Sequence, residues 1–158
     1  MAEQPRFRRK MSPSGLILIV EDREDDRFIL ERMLRRLGVS NRIIQLPTGD
    51  AALKYLGGHD EFADRTAYPL PSVLFLDLKM PGTSGFDVLR WLQTNPLPEK
   101  TLVLVVSELH SALDINRAYR LGATSFFCKP LNEVEMRECL RSRPEPWQFD
   151  VLPSSRAA

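Results

Sequence analysis

The sequence is short of several things that would decide its class at once. It has only two cysteines, Cys128 and Cys139, in apolar stretches, too few for a disulfide framework. Reduced, buried thiols in a cytosolic protein are the expectation. Its net charge is +1, which gives no bulk electrostatic case for nucleic acid or membrane binding. No apolar run approaches the length of a membrane span. The basic start (Arg6, Arg8, Arg9, Lys10) has no long apolar core behind it, so it does not read as a secretory signal. The loop after the first apolar run is acidic and lacks the glycines of a dinucleotide-binding turn. His59 and His110 are isolated, with no metal-ligand spacing, and read as surface residues.

What the chain does have is a set of short apolar runs that end abruptly in polar residues. Leu16-Ile17-Leu18-Ile19-Val20 runs into Glu21 and Asp22, Val73-Leu74-Phe75-Leu76 into Asp77, and Leu102-Val103-Leu104-Val105-Val106 into Ser107. Thr124-Ser125-Phe126-Phe127-Cys128 runs into Lys129-Pro130. A half-exposed strand would alternate, so continuous apolar runs read as strands buried on both faces of a parallel sheet. Arg42–Leu46 adds a shorter strand. Helical spacing follows each strand: Phe28, Ile29, Met33, Leu34 and Leu37 after the first, and Val134, Met136, Cys139 and Leu140 after the last, capped by Asn132.

Five strands alternating with five helices imply right-handed crossovers, hence an α/β fold: a doubly wound, five-stranded parallel sheet with helices on both faces. All strand ends of such a sheet share one edge, where open α/β sheets hold their sites. Asp22 with Glu21, Asp77, Ser107 and Lys129 are therefore expected to converge. Clustered carboxylates repel, and a hard divalent cation such as Mg²⁺ relieves that repulsion while leaving room for a phosphate oxygen. With an ammonium and a hydroxyl beside it, Asp77 is set up to accept a phosphoryl group. The bland alternatives are that Asp77 and Ser107 cap turns or helices, and that Asp25 and Asp26 are helix N-terminal acids suited to the dipole.

Four motifs in order, each at a strand end, resemble the response-regulator receiver domains of two-component signalling. They are Leu18-Ile19-Val20-Glu21-Asp22, Phe75-Leu76-Asp77-Leu78-Lys79-Met80-Pro81 with Gly85, Val105-Val106-Ser107, and Phe127-Cys128-Lys129-Pro130, and the likeness spans about residues 14–142. Val20–Arg27, the loop with Glu61–Arg65, and Asp114-Ile115 leading to Tyr119–Ala123 look most like single-domain regulators of bacterial phytochrome histidine kinases.

The resemblance implies a (βα)5 flavodoxin-like receiver fold with Asp77 as phosphoacceptor for a sensor histidine kinase, possession of Mg²⁺ as cofactor, and no enzyme activity beyond slow autodephosphorylation. Asp22 and Asp77 would bind the metal, with the backbone carbonyl of Lys79, and Glu21 would act through water. Ser107 and Lys129 would contact the phosphoryl oxygens. Phe126 would turn inward as Ser107 moves, repacking the face of the fourth helix, fifth strand and fifth helix. The Lys129–Pro130 bond is expected to be cis. Glu21 and Glu108 depart from the pattern: an aspartate is commoner at the first position and a small residue at the second. A carboxylate at 108 would repel or crowd an entering phosphoryl group.

The domain reading is a flexible basic tail over 1–14, a receiver domain over 15–142, and a partly apolar tail over 143–158. Trp147 and Phe149 either pack on the last helix or serve a homodimer contact. Output is expected through contact with a downstream protein in the cytoplasm, without nucleic acid or membrane. Two other functions compete. A haloacid-dehalogenase-type phosphatase would need a general acid two residues after Asp77, where Lys79 stands. A receiver-like module that is never phosphorylated is the other.

Overall fold

The computed structural model describes residues 15–143 and 145–150. The basic tail and the apolar pair Val151 and Leu152 lie outside the described residues. In chain order the elements are β1 (Ile17–Val20), α1 (Glu24–Arg36), β2 (Ile43–Leu46), α2 (Gly49–Gly57), a short 3₁₀ turn (Asp60–Phe62), β3 (Val73–Leu76), α3 (Gly85–Thr94), β4 (Leu102–Ser107), α4 (Ala112–Arg120), β5 (Ser125–Cys128) and α5 (Glu133–Ser142).

The strands form one parallel sheet in the order β2-β1-β3-β4-β5. Every residue of β1, β3 and β4 is buried. Side chains alternate across a strand, so each run feeds two cores. Leu18, Val20, Leu74, Leu76, Val103 and Val105 face α2, α3 and α4. Ile17, Ile19, Val73, Phe75, Leu104 and Val106 face α1 and α5. Each fully buried aliphatic side chain contributes about 1.5–3 kcal/mol, which is why runs that look too apolar for a surface strand are required here. The expected doubly wound fold is the one observed.

The helix starts are written locally. Thr48 accepts a hydrogen bond from Ala51 N at 3.0 Å, Ser84 and Asp87 form a reciprocal capping box, and Asn132 accepts from Val134 N at 2.8 Å. Gly85 is a different case: a Cβ there would run into the carbonyl of Asp77, so only glycine lets α3 start against the end of β3.

Residues 145–150 return to the edge where the strands begin. Trp147 is buried, with its ring 6.2 Å from that of Phe75 in the α1/α5 core. Phe149 is exposed and pairs antiparallel with Val39. Cys128 and Cys139 are free thiols. Among the described residues no helix is long and apolar enough to cross a membrane.

Candidate functional site

Strand register places the polar residues that end the apolar runs along one edge. Val20 is level with Leu76, Leu76 with Val105, and Ser107 with Cys128. The residues that follow inherit that alignment. Asp77 N donates to Val20 O at 3.0 Å and Lys129 N to Ser107 O at 2.9 Å, fixing both residues at the rim. The Lys129–Pro130 peptide is cis, as expected.

Glu21 and Asp77 are buried. One carboxylate oxygen each from Glu21, Asp22 and Asp77 lies within 4.8 Å of the others. Lys129 reaches into the same cluster. Its Nζ lies 2.6 Å from Glu21 Oε2, 2.8 Å from Asp26 Oδ2 and 3.3 Å from Asp77 Oδ2. Asp77 Oδ1 also accepts from Lys79 N at 3.3 Å, while the Lys79 side chain is exposed. Asp22 Oδ1 is buried without a hydrogen-bond partner among the described residues. A buried acceptor without a donor is costly, and a cation is the partner that three converging carboxylate oxygens suit. Asp22, Asp77 and Glu21 therefore fit a hard divalent ion.

Burial pushes the Glu21 carboxyl up to about 8, and the charge of Asp77 adds to that, against the hydrogen bond from Lys129. Burial works the other way on Lys129, but its hydrogen bonds to Asp26 and Glu21 and the charge of Asp77 prevail and raise it. Several carboxylates thus share one ammonium.

Ser107 is fully buried at the end of β4, and its Oγ accepts from Leu109 N at 3.2 Å. It caps no helix; the N-cap of α4 is Ser111. Phe126 is half-buried and packs against the α2/α3/α4 core, whereas its neighbour Phe127 is buried in the other core. Of the residues expected at the site, Glu21, Asp22, Asp77 and Lys129 are brought together, Ser107 lies at the same edge, and Phe126 stands apart. His59 and His110 are exposed.

Asp26 is the residue the sequence reading missed. It sits in the first turn of α1, as a dipole-suited acid would, yet its carboxylate holds Lys129. Its position in the first turn after the strand that ends at Glu21 and Asp22 was the only signal, and that position suits a dipole-facing acid equally well. Glu108 is also placed differently from the expectation of a bare repelling charge: its carboxylate pairs with Arg23 at 3.3 Å. A cavity of about 550 Å³ opens beside the cluster, lined among others by Glu21, Asp26, Asp77 and Lys129.

An acidic pocket with a lysine, at the carboxyl edge of a sheet ordered 2-1-3-4-5, defines a class. The family description "Response regulator receiver domain" matches residues 17–141, and the chain belongs to that family. Receiver domains bind Mg²⁺ at an acidic pocket, and response regulators are signalling proteins. Among particular relatives, the chain is 33% identical over 132 residues to the probable methanogenesis regulatory protein FilR2 of Methanothrix harundinacea, covering 84% of this chain and 83% of that one. It is similar to the crystal structure of response regulator RPA3017, in red light signaling of R. palustris: 29% identity, TM-score 0.71, 89% of this chain and all of that one. It also resembles the bacteriophytochrome response regulator RtBRR, at 27% identity and TM-score 0.73, covering 87% and 82%.

Proposed function

We propose that the chain is a receiver-domain response regulator that takes a phosphoryl group from a histidine kinase onto Asp77, in a Mg²⁺-dependent reaction. The observation that carries this is Lys129 Nζ 3.3 Å from Asp77 Oδ2, at the rim where Glu21, Asp22 and Asp77 converge. In the transfer, an Asp77 oxygen attacks phosphorus, the phosphorus–nitrogen bond of the phosphohistidine breaks, and the leaving imidazole takes a proton. Mg²⁺, when bound, screens the charge between carboxylate and phosphoryl oxygens.

The chain's own residues do the rest. Asp22, Asp77 and the Lys79 carbonyl would hold the ion, with Glu21 supporting it through water. Lys129 leaves part of its carboxylate cage and neutralises a phosphoryl oxygen. Ser107 gives up the Leu109 amide and turns its hydroxyl to the phosphoryl group, and Phe126 follows inward. This is a shift between two populated states.

The readout is protein contact on the face of α4, β5 and α5. Leu113 at 80% exposed, Tyr119 and Val134 give that face apolar area for a partner. The likeness to RPA3017 and RtBRR supports a phytochrome-type kinase as donor, and the exposed Phe149 leaves apolar area for a homodimer. We place the protein in the cytoplasm, where such kinases present their phosphohistidine. The phosphatase reading lacks its general acid, since that position is the exposed Lys79. The unphosphorylated module is disfavoured by an intact Asp77 and Lys129.

Phosphotransfer profiling against a panel of purified, phosphorylated histidine kinases is the test. Rapid loss of label from one kinase to wild type, and none to Asp77→Asn, is the expected outcome. Equal transfer to both proteins would overturn the assignment.

A further inference from the structure

We propose that Arg23 and Glu108 form a charged bar across the mouth of the Asp77 pocket, which limits exchange of phosphate with small donors and with water. The inference rests on the reading of Asp77 as phosphoacceptor and adds a control on that site. Arg23 Nη1 lies 3.3 Å from Glu108 Oε1, although the two are 85 positions apart in sequence. One residue stands on the loop after β1 and the other on the loop after β4. Both line each of the two cavities that open onto Asp77 and Lys129.

The two backbones are anchored to the site while the two side chains stay outside it. Arg23 N donates to Glu21 Oε1 at 3.2 Å, and the Arg23 guanidinium also lies 3.9 Å from Asp26. Glu108 follows the fully buried Ser107, whose carbonyl accepts from Lys129 N at 2.9 Å. The side chains themselves are 62% and 59% exposed, so they stand at the entrance and outside the core.

Charge makes the pairing necessary. Glu21, Asp26 and Asp77 already share one ammonium, and Asp22 lies beside Glu21 and Asp77. An unpaired Glu108 would be a fifth carboxylate in the path of an anionic donor. Arg23 cancels that charge and ties the two loops together. The bar leaves a phosphohistidine delivered by a docked kinase as the favoured donor, because docking supplies the binding energy needed to part an exposed ion pair. A free donor such as acetyl phosphate has no such contact. Water faces the same obstacle when it attacks phosphorus, breaks the bond to Asp77 oxygen and releases inorganic phosphate with the carboxylate restored.

The experiment uses the full chain with Mg²⁺ and acetyl phosphate, reading the rate of labelling and, after donor removal, the rate of label loss. Four proteins are compared: wild type, Glu108→Ala, Arg23→Ala and the double variant. Glu108→Ala is expected to speed labelling and loss about fivefold, the scale of an exposed ion pair. Arg23→Ala is expected to speed loss by a similar factor, and the double variant to lose label no faster than either single change. Glu108→Gln, which keeps the length without the charge, should follow Glu108→Ala in part. Unchanged rates in Glu108→Ala, or effects that multiply in the double variant, would overturn the bar. Absence of Asp77-dependent label from all four proteins, with acetyl phosphate and with every phosphorylated kinase offered, is a different result: the phosphoacceptor reading fails, and the bar with it.

Discussion

At the rim where the strands end, three carboxylates share one ammonium and the buried Asp22 Oδ1 has no hydrogen-bond partner among the described residues. At the rim where the strands begin, most polar groups are matched, with the buried Trp147 Nε1 the exception among the described residues. Asn41 is fully buried there; it donates to Gly15 O at 2.6 Å and Pro146 O at 3.1 Å, and accepts from Gln148 N at 2.6 Å. Ser40 N donates to Gln148 O, Asp150 N to Gly38 O, and Gly15 N to Ser72 Oγ. Trp147 closes the core behind this network. One edge holds the fold; the other keeps electrostatic strain in reserve for a cation and a phosphoryl group. Stability and chemistry are separated by the length of the strands.

That separation can be broken from either side. The largest effect on stability is expected from Trp147→Ala, which empties a core site and should cost about 3–5 kcal/mol in urea unfolding, with labelling of Asp77 preserved wherever the variant is folded. A small loss would mean that residues 145–150 rest on the surface without supporting the core. Asn41→Ala comes next. It leaves the carbonyls of Gly15 and Pro146 and the Gln148 amide without their partner, at about 1–3 kcal/mol, read from the same unfolding curves.

The third effect is a pH dependence far from either rim. Tyr55 is fully buried, its hydroxyl donates to Pro69 O at 2.8 Å, and burial pushes it from 10.0 up to about 12. Above pH 10 the unfolded chain gives up this proton while the folded one keeps it. Stability supplied by Tyr55 is therefore full below pH 10 and falls by about 2 kcal/mol as pH rises towards 12. Comparing the pH dependence of the melting temperature with that of Tyr55→Phe isolates this residue from the lysines that titrate nearby. Parallel curves would contradict the assignment.

The smallest effect should carry the opposite sign. Asp77→Asn removes one of the crowded carboxylates, so in a chelator it is expected to stabilise the protein by about 1 kcal/mol. Added Mg²⁺ should raise the melting temperature of wild type more than that of the variant. Destabilisation by Asp77→Asn in the chelator would erase the contrast between the two edges.

The strands were legible because strands buried on both faces leave no room for polar alternation; Ile17–Val20, Val73–Leu76 and Leu102–Ser107 announce themselves. Topology then carried Asp22, Asp77, Ser107 and Lys129 to one edge without any knowledge of side-chain contacts. What stayed hidden was the choice a side chain makes among partners. An acid in the first turn of a helix has the same sequence whether it faces solvent or reaches a lysine, so Asp26 read as a dipole residue. Arg23 and Glu108 meet only because two loops at neighbouring strand ends face each other. Trp147 could pack or dimerise on sequence alone; its burial against Phe75 depends on the chain's return path past Asn41, a long-range contact with no local signal.

Incubation with acetyl phosphate and Mg²⁺, followed by mapping of the labelled residue by peptide mass spectrometry, tests the central claim most directly. Label on Asp77 alone, lost with a chelator and absent from Asp77→Asn, is the result expected. Label that persists in Asp77→Asn, or wild type that stays unlabelled by both acetyl phosphate and every phosphorylated kinase offered, would contradict it.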